Sequence, residues 1–221
     1  MIWSLVASLF IGVPAVDSPQ RILERMHAAQ SNLQSLKARV EQVKSYPQLG
    51  IEDPVEKGFL YFQPGRFRLE IREPEIRILA VKDGEYVLYQ PRIRQAILGK
   101  LGAEGGTKGL FPGLLTGSRE SFGELEKSYE ASDLGEISIE NSRVHHLSFQ
   151  ARPGAAVYCQ AIELFIDSAS MLPVRQKCRE ANQSEITLTL ADIERNTPLA
   201  KSLFEVEIPE GVEKIERGGD E

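Results

Sequence analysis

Residues 66–72 read Arg-Phe-Arg-Leu-Glu-Ile-Arg, a strict alternation of charged and apolar side chains. A helical period of 3.6 would scatter them round a cylinder. A strand, with its period of two, sorts Phe67, Leu69 and Ile71 onto one face and four charges onto the other. Such a strand belongs in a sheet with one dry side and one wet side. GFLYF (58–62) joins it through the turn residues Gln63-Pro64-Gly65, and residues 76–82 and 86–90 flank Asp83-Gly84, a strong hairpin signal. Further strands are predicted at 36–45, 136–141, 143–151, 157–167, 173–180 and 185–193, with no βαβ alternation and no internal repeat. The chain therefore reads as mainly β (α+β), with one strongly curved sheet or incomplete antiparallel β-barrel.

Helices punctuate this series. Ser18-Pro19 has the grammar of a helix start, and Ile22, Leu23, Met26, Ala29, Leu33 and Leu36 follow at spacings of three and four. A helix with that stripe must lie on an apolar surface. Ser121 and Glu124 have capping-box spacing ahead of Phe122, Leu125 and Tyr129. Thr197-Pro198 repeats the start signal before LAKSLF, and FEVEIPEGVEKIE (204–216) predicts a closing strand. Residues 99–117 hold seven glycines around LFPGLL. Two readings of Leu110, Phe111, Leu114 and Leu115 stay open: a plug that completes the core, or a mobile flap over a pocket.

The first residues set the compartment. Ile2 to Val13 is a run of twelve residues without a charge. A bilayer needs about 20, so the run fits the apolar part of a secretory signal instead. Small residues at Val13 and Ala15 predict cleavage after Ala15, although no Lys or Arg precedes the run. This gives a signal peptide over 1–15, a single domain over 16–217 and a frayed tail over 218–221. The 26 Lys and Arg against 32 Asp and Glu give a formal charge of −6 with no basic run. That balance excludes a nucleic-acid footprint and a basic face for anionic membranes.

No catalytic constellation is present in the sequence. There is no GxSxG elbow and no HExxH, and GGTKG (105–109) lacks the Ser or Thr and the strand–loop–helix frame of a phosphate loop. His145 and His146 are adjacent, so in a strand they point to opposite faces and cannot share an ion. The expectation is no enzyme, no metal and no cofactor. Cys159 and Cys178 fall on neighbouring predicted strands. With the bend at 167–170 they stand opposite each other, within reach of a disulfide in an oxidising compartment. A slip of one residue would leave two thiols instead.

The order of leader, amphipathic helix and antiparallel strands resembles the periplasmic outer-membrane lipoprotein carriers of the LolA type. GFLYFQPGRFRLEI (58–71) is similar to that family's hairpin of apolar strand, Pro turn and Phe-bearing strand, and VKDGEYVLYQP (81–91) to the next hairpin. LFPGLLTG (110–117) falls where the family carries its lid, and FEVEIPEGVEKIE is similar to its closing strand. The resemblance implies an incomplete barrel whose open side is closed by helices over a hydrophobic cavity. The implied activity is carriage of lipoprotein acyl chains from an inner-membrane transporter to an outer-membrane acceptor. Gln63 stands where well-known members have an Arg that holds the lid. Gln63, Arg66 and Arg68 are therefore the latch candidates.

Three acyl chains carry about 45 methylenes at roughly 0.8 kcal/mol each, so carrying them bare through water would cost about 35 kcal/mol. Phe59, Tyr61, Phe67, Leu69 and Ile71 share the inferred dry face and are the expected cavity lining. A monomer is expected. The competing reading is a lipid-sensing module like RseB that acts through a protein partner.

Overall fold

Ser18 stands in extended backbone and its Oγ accepts a hydrogen bond from the Arg21 amide at 3.3 Å, with Pro19 in the first turn of α1 (Pro19–Ser31). Ile22, Leu23 and Met26 are buried along one face, as their spacing predicts. The computed structural model describes residues 18–100 and 119–217. The predicted signal peptide over 1–15, the predicted lid residues Leu110, Phe111, Leu114 and Leu115, and the tail at 218–221 lie outside the described residues.

β1 (Leu36–Tyr46) is followed by a two-residue β2 (Ile51–Glu52) and then by β3 (Glu56–Gln63), β4 (Arg66–Glu73), β5 (Arg77–Lys82), β6 (Glu85–Gln90) and β7 (Gln95–Lys100). α2 (Arg119–Ser128) leads into β8 (Tyr129–Ile139), β9 (Ser142–Ala151), β10 (Cys159–Asp167), β11 (Pro173–Glu180) and β12 (Glu185–Arg195). The last strand is β13 (Glu213–Arg217). All belong to one sheet of neighbour order β13-β7-β6-β5-β4-β3-β1-β12-β11-β10-β9-β8, with β2 paired onto β1. The sheet is large, curved and not closed into a barrel. Its pairings are antiparallel except that of β13 with β7, which is parallel.

The structure departs from the sequence reading in three places. β7 is a strand the sequence reading did not predict, and only its last two residues fall in the glycine-rich stretch of 99–117. Tyr129 opens β8 instead of ending a helix, and its hydroxyl donates to the Cys159 carbonyl at 2.9 Å. The last segment is not one strand from 204 onward. It forms a short 3₁₀ turn at Lys201–Phe204, runs irregularly, and becomes a strand only at Glu213.

Directly paired residues share a face of the sheet, so the register sorts the side chains. The face that α1 covers is the inner face. Ile22, Leu23 and Met26 join Leu147, Phe149, Ile162 and Leu164 of β9 and β10 in one apolar cluster. A second cluster occupies the inner face of β1, β3 to β6 and β12.

Cys159 and Cys178 form a disulfide within the first cluster, with Cα atoms 5.3 Å apart. The pairing that puts them directly opposite each other is not the one adopted. Cys178 faces Ile162 and Cys159 faces Glu180, with an irregularity between Cys159 and Ala161. That bulge, not simple opposition, brings the sulfurs together. Closing a loop of 19 residues contributes about 3 kcal/mol in the chain-entropy account.

Candidate functional site

The inner face of β3, β4 and β5 forms an apolar wall. Phe62 pairs with Phe67 and Leu60 with Leu69, while Val81 and Leu79 continue the two rows. Phe67 is 1%, Leu69 7% and Ile71 1% exposed. Gly58 pairs with Ile71 on one side and Val40 on the other, which carries the wall onto β1. On the far side the wall reaches Leu88 of β6 and Ile97 of β7, a directly opposed pair that is only half-buried. Sequence reasoning missed both residues, although Leu88 lies in a strand it had found.

Phe59 and Tyr61 are not part of this wall. They pair with Glu70 and Arg68, which sets them on the outer face. There the Arg72 guanidinium lies 4.7 Å from the Phe59 ring centre, and the Phe59 and Tyr61 rings stack at 6.2 Å. The cause is the turn. Pro64 and Gly65 form a two-residue loop with Gln63 opposite Arg66, so Phe62, not Phe59 or Tyr61, aligns with Phe67. GFLYF is apolar on both faces and its alternation could not reveal this.

The latch candidates also face outward. Gln63 Nε2 donates to the Leu199 carbonyl at 3.4 Å. Arg68 donates to the Leu203 and Glu205 carbonyls at 3.1 and 3.3 Å. Both therefore hold the C-terminal segment, which crosses β4 and β5 with Phe204 buried beneath it. Arg66 makes no ion pair or side-chain hydrogen bond among the described residues.

At one end of the wall the inner face turns polar along an oblique line, which steps by one pair where Ile71 of β4 meets Arg77 of β5. Val40 gives way to Gln42 and Lys44 on β1, Gly58 to Glu56 on β3, Leu79 to Arg77 on β5, and Leu88 to Gln90 on β6. These residues, with Ile186 of β12, floor a pocket of about 450 Å³. That volume falls within the roughly 300–1,000 Å³ of small-molecule sites. Its rim is formed by the loops at 53–54, 74–76 and 92–93. Among the described residues, no group of three or more His, Cys, Asp or Glu side chains could hold a metal ion.

An uncharacterised conserved protein from Thermus thermophilus is 16% identical and superposes with a TM-score of 0.59, covering 90% of this chain and 98% of that one. MucB in the Pseudomonas aeruginosa MucA/MucB complex is 13% identical with a TM-score of 0.53, over 84% of this chain and 60% of MucB. A LolA superfamily protein from Nitrosomonas europaea is 15% identical over 86% of this chain and 99% of that one, with a TM-score of 0.43. The fold is shared with the Thermus protein and with MucB. No family model matches the chain, and no curated protein does. At these identities the likeness concerns the fold alone.

Two carboxylates brace this sheet. Burial raises the pKa of Glu70, but hydrogen bonds from Arg68 and Arg72 outweigh it and hold the group below its ordinary value of 4.5. Glu180 behaves likewise, with burial outweighed by hydrogen bonds from Lys44 and Ser184. A carboxylate whose folded pKa is depressed stabilises the fold above its unfolded pKa and loses that contribution as pH falls through the folded one. The urea midpoint should therefore hold steady from neutrality to about pH 5 and fall below about pH 4.5. Glu70→Gln should start from a lower midpoint at neutrality and show a shallower acid slope. An unchanged slope would count against this assignment.

On the inner face of β11, Gln176 is 4% exposed opposite Leu164 and Leu188, and its Oε1 accepts no hydrogen bond from the described residues. Leaving such an acceptor bare costs about 1–3 kcal/mol. A donor carried in by a bound molecule would satisfy it. None of the described helices is long and apolar enough to cross a membrane.

Proposed function

We propose that this chain is a periplasmic carrier that shelters the acyl chains of a lipoprotein or similar lipid against its inner face and moves them towards the outer membrane. The observation that carries the reading is the apolar wall across β1, β3, β4 and β5, continued by half-buried Leu88 and Ile97 and ending at an open pocket. Acyl chains have no hydrogen-bonding needs, so contact with such a wall removes their cost in water without further chemistry. Apart from Leu88 and Ile97 the wall is buried, so acyl chains reach it first at those two residues. The role is carriage, not catalysis, with a membrane donor and a membrane acceptor as partners.

The test is direct. Protein exported with its leader should co-purify with acylated material detectable by native mass spectrometry. A pyrene-labelled diacyl glyceride should bind it, and Leu88→Asp with Ile97→Asp should weaken that binding at least tenfold, a loss of about 1.4 kcal/mol or more. Two opposed carboxylates at half-buried positions also lower the melting temperature, so binding is compared well below the variant's unfolding onset, with Leu88→Ser and Ile97→Thr as the uncharged companion pair. Unchanged probe binding in that variant would sink the carrier reading.

A second reading has its own support. MucB, which shares the fold, is found in complex with MucA. A lipid-responsive module acting through a protein partner would bind the same probe but deliver no lipid to acceptor vesicles.

A further inference from the structure

We infer that the polar end of the wall is a head-group site, and that the amphiphile it takes carries an uncharged or zwitterionic head, not an anionic one. This rests on the acyl-binding reading and adds the chemistry of the cargo's other end.

The geometry has the form of an amphiphile. On the inner face of β1, β5 and β6, side chains two residues apart change from Val40 to Gln42, from Leu79 to Arg77 and from Leu88 to Gln90. The change runs obliquely across the sheet, stepping by one pair where Ile71 of β4 meets Arg77 of β5, and the pocket of about 450 Å³ sits on its polar side. A molecule with acyl chains against the wall would place its head there. Ile76 and Ile93, which line the rim and are 53% and 58% exposed, give the chains an apolar path past the polar line.

The charges choose the head. Three cations line the pocket, Lys44, Arg77 and Arg92, and three carboxylates, Asp53, Glu56 and Glu75. Every one is answered. Arg77 meets Glu56 at 2.7 Å, and Gln42 Nε2 donates to the same carboxylate oxygen at 2.7 Å. Lys44 meets Glu180 at 2.7 Å, Arg92 pairs with Glu75, and the Tyr46 hydroxyl donates to Asp53 at 3.2 Å. Among the described residues of the pocket, an anionic head would find no free cation and would face three carboxylates. Each cation's charge is already partly neutralised by its carboxylate, so an anionic head gains less there than at an unpaired cation and is repelled by the carboxylates beside it. An uncharged head can use the amides of Gln42 and Gln90, and a zwitterion can lie along the paired charges without displacing them.

Three lipids with identical acyl chains separate the cases: diacylglycerol, phosphatidylcholine and phosphatidylglycerol, each competing with the pyrene-labelled diacyl glyceride for the purified full chain. Diacylglycerol and phosphatidylcholine should compete within about threefold of each other and at least fivefold better than phosphatidylglycerol. Glu56→Gln should free Arg77 and move the preference towards phosphatidylglycerol by at least threefold. Glu75→Gln should do the same for Arg92 at an exposed position where folding is not at stake. Equal or better competition by phosphatidylglycerol overturns the head-group assignment and leaves the wall standing, as does an unmoved preference in both variants. Failure of the probe itself to bind overturns the wall reading, and this one with it.

Discussion

Gly58→Ala should lower the melting temperature by roughly 10 °C, taking about 3 kcal/mol at the upper end of overpacking costs and 2–4 °C per kcal/mol for a chain of this size. The reason is a close approach of two backbones. β3 and β4 slip register between Lys57 and Gly58, and a Cβ on Gly58 would stand 1.9 Å from the Glu70 carbonyl oxygen and 2.8 Å from the Ile71 Cα. Neither atom is the end of a flexible side chain, so the strands themselves would have to separate. The bulge lies between the last apolar pairing of the wall and Glu56 of the mouth, which means separation there also misaligns the mouth. Gly123 in α2 is the control: a Cβ there meets nothing within 4 Å. Ala should stabilise that helix position by about 0.5–1 kcal/mol. Opposite signs for two Gly→Ala changes in one chain are the expected result. Equal shifts would mean the bulge is not the tight point.

The same bulge and its hairpin explain what the sequence reveals and what it hides. Residues 66–72 declare their faces, because every second side chain is charged. Residues 58–62 do not, because Phe59 and Tyr61 are as apolar as Leu60 and Phe62. Only the two-residue loop at Pro64-Gly65 decides which set faces the wall. The cysteines pose a related problem. Their strands and their reach for each other are readable, but the bulge between Cys159 and Ala161 is invisible in a string of apolar residues. β7 was not predicted from the sequence, although only its last two residues fall in the glycine-rich stretch, and Gly99 among them has a packing reason. It lies opposite Tyr86, whose ring atoms would be 2.7 Å from any Cβ there. The polar mouth was not legible at all. It joins residues from five strands and three loops, each an ordinary polar position in its own segment.

Arg68→Met should destabilise the protein by about 3 kcal/mol and, more tellingly, should release the C-terminal segment from the outer face. Arg68 is 12% exposed at its side chain and Glu70 16%. Its guanidinium bonds Glu70 at 2.8–2.9 Å while also donating to the Leu203 and Glu205 carbonyls. Met keeps the apolar stem but leaves Glu70 to Arg72, which is half exposed, and leaves both carbonyls without that donor. Hydrogen exchange between residues 199 and 209 should quicken well before the strands open. Protease cleavage should begin in the same stretch, because the side-chain ties it keeps to the sheet among the described residues are Gln63 of β3 to the Leu199 carbonyl and the Lys82–Glu205 pair at 3.1 Å. With one of its two cations gone, Glu70 should also titrate higher, so acid unfolding should begin at a higher pH than in the parent. Arg66→Met, one alternation step away on the same strand face, should change stability by no more than about 0.5 kcal/mol. If Arg68 served a lid instead, its loss would alter diacyl glyceride binding while leaving exchange at 199–209 untouched. The structure predicts the reverse order of effects, because every acceptor Arg68 reaches lies on the outer face.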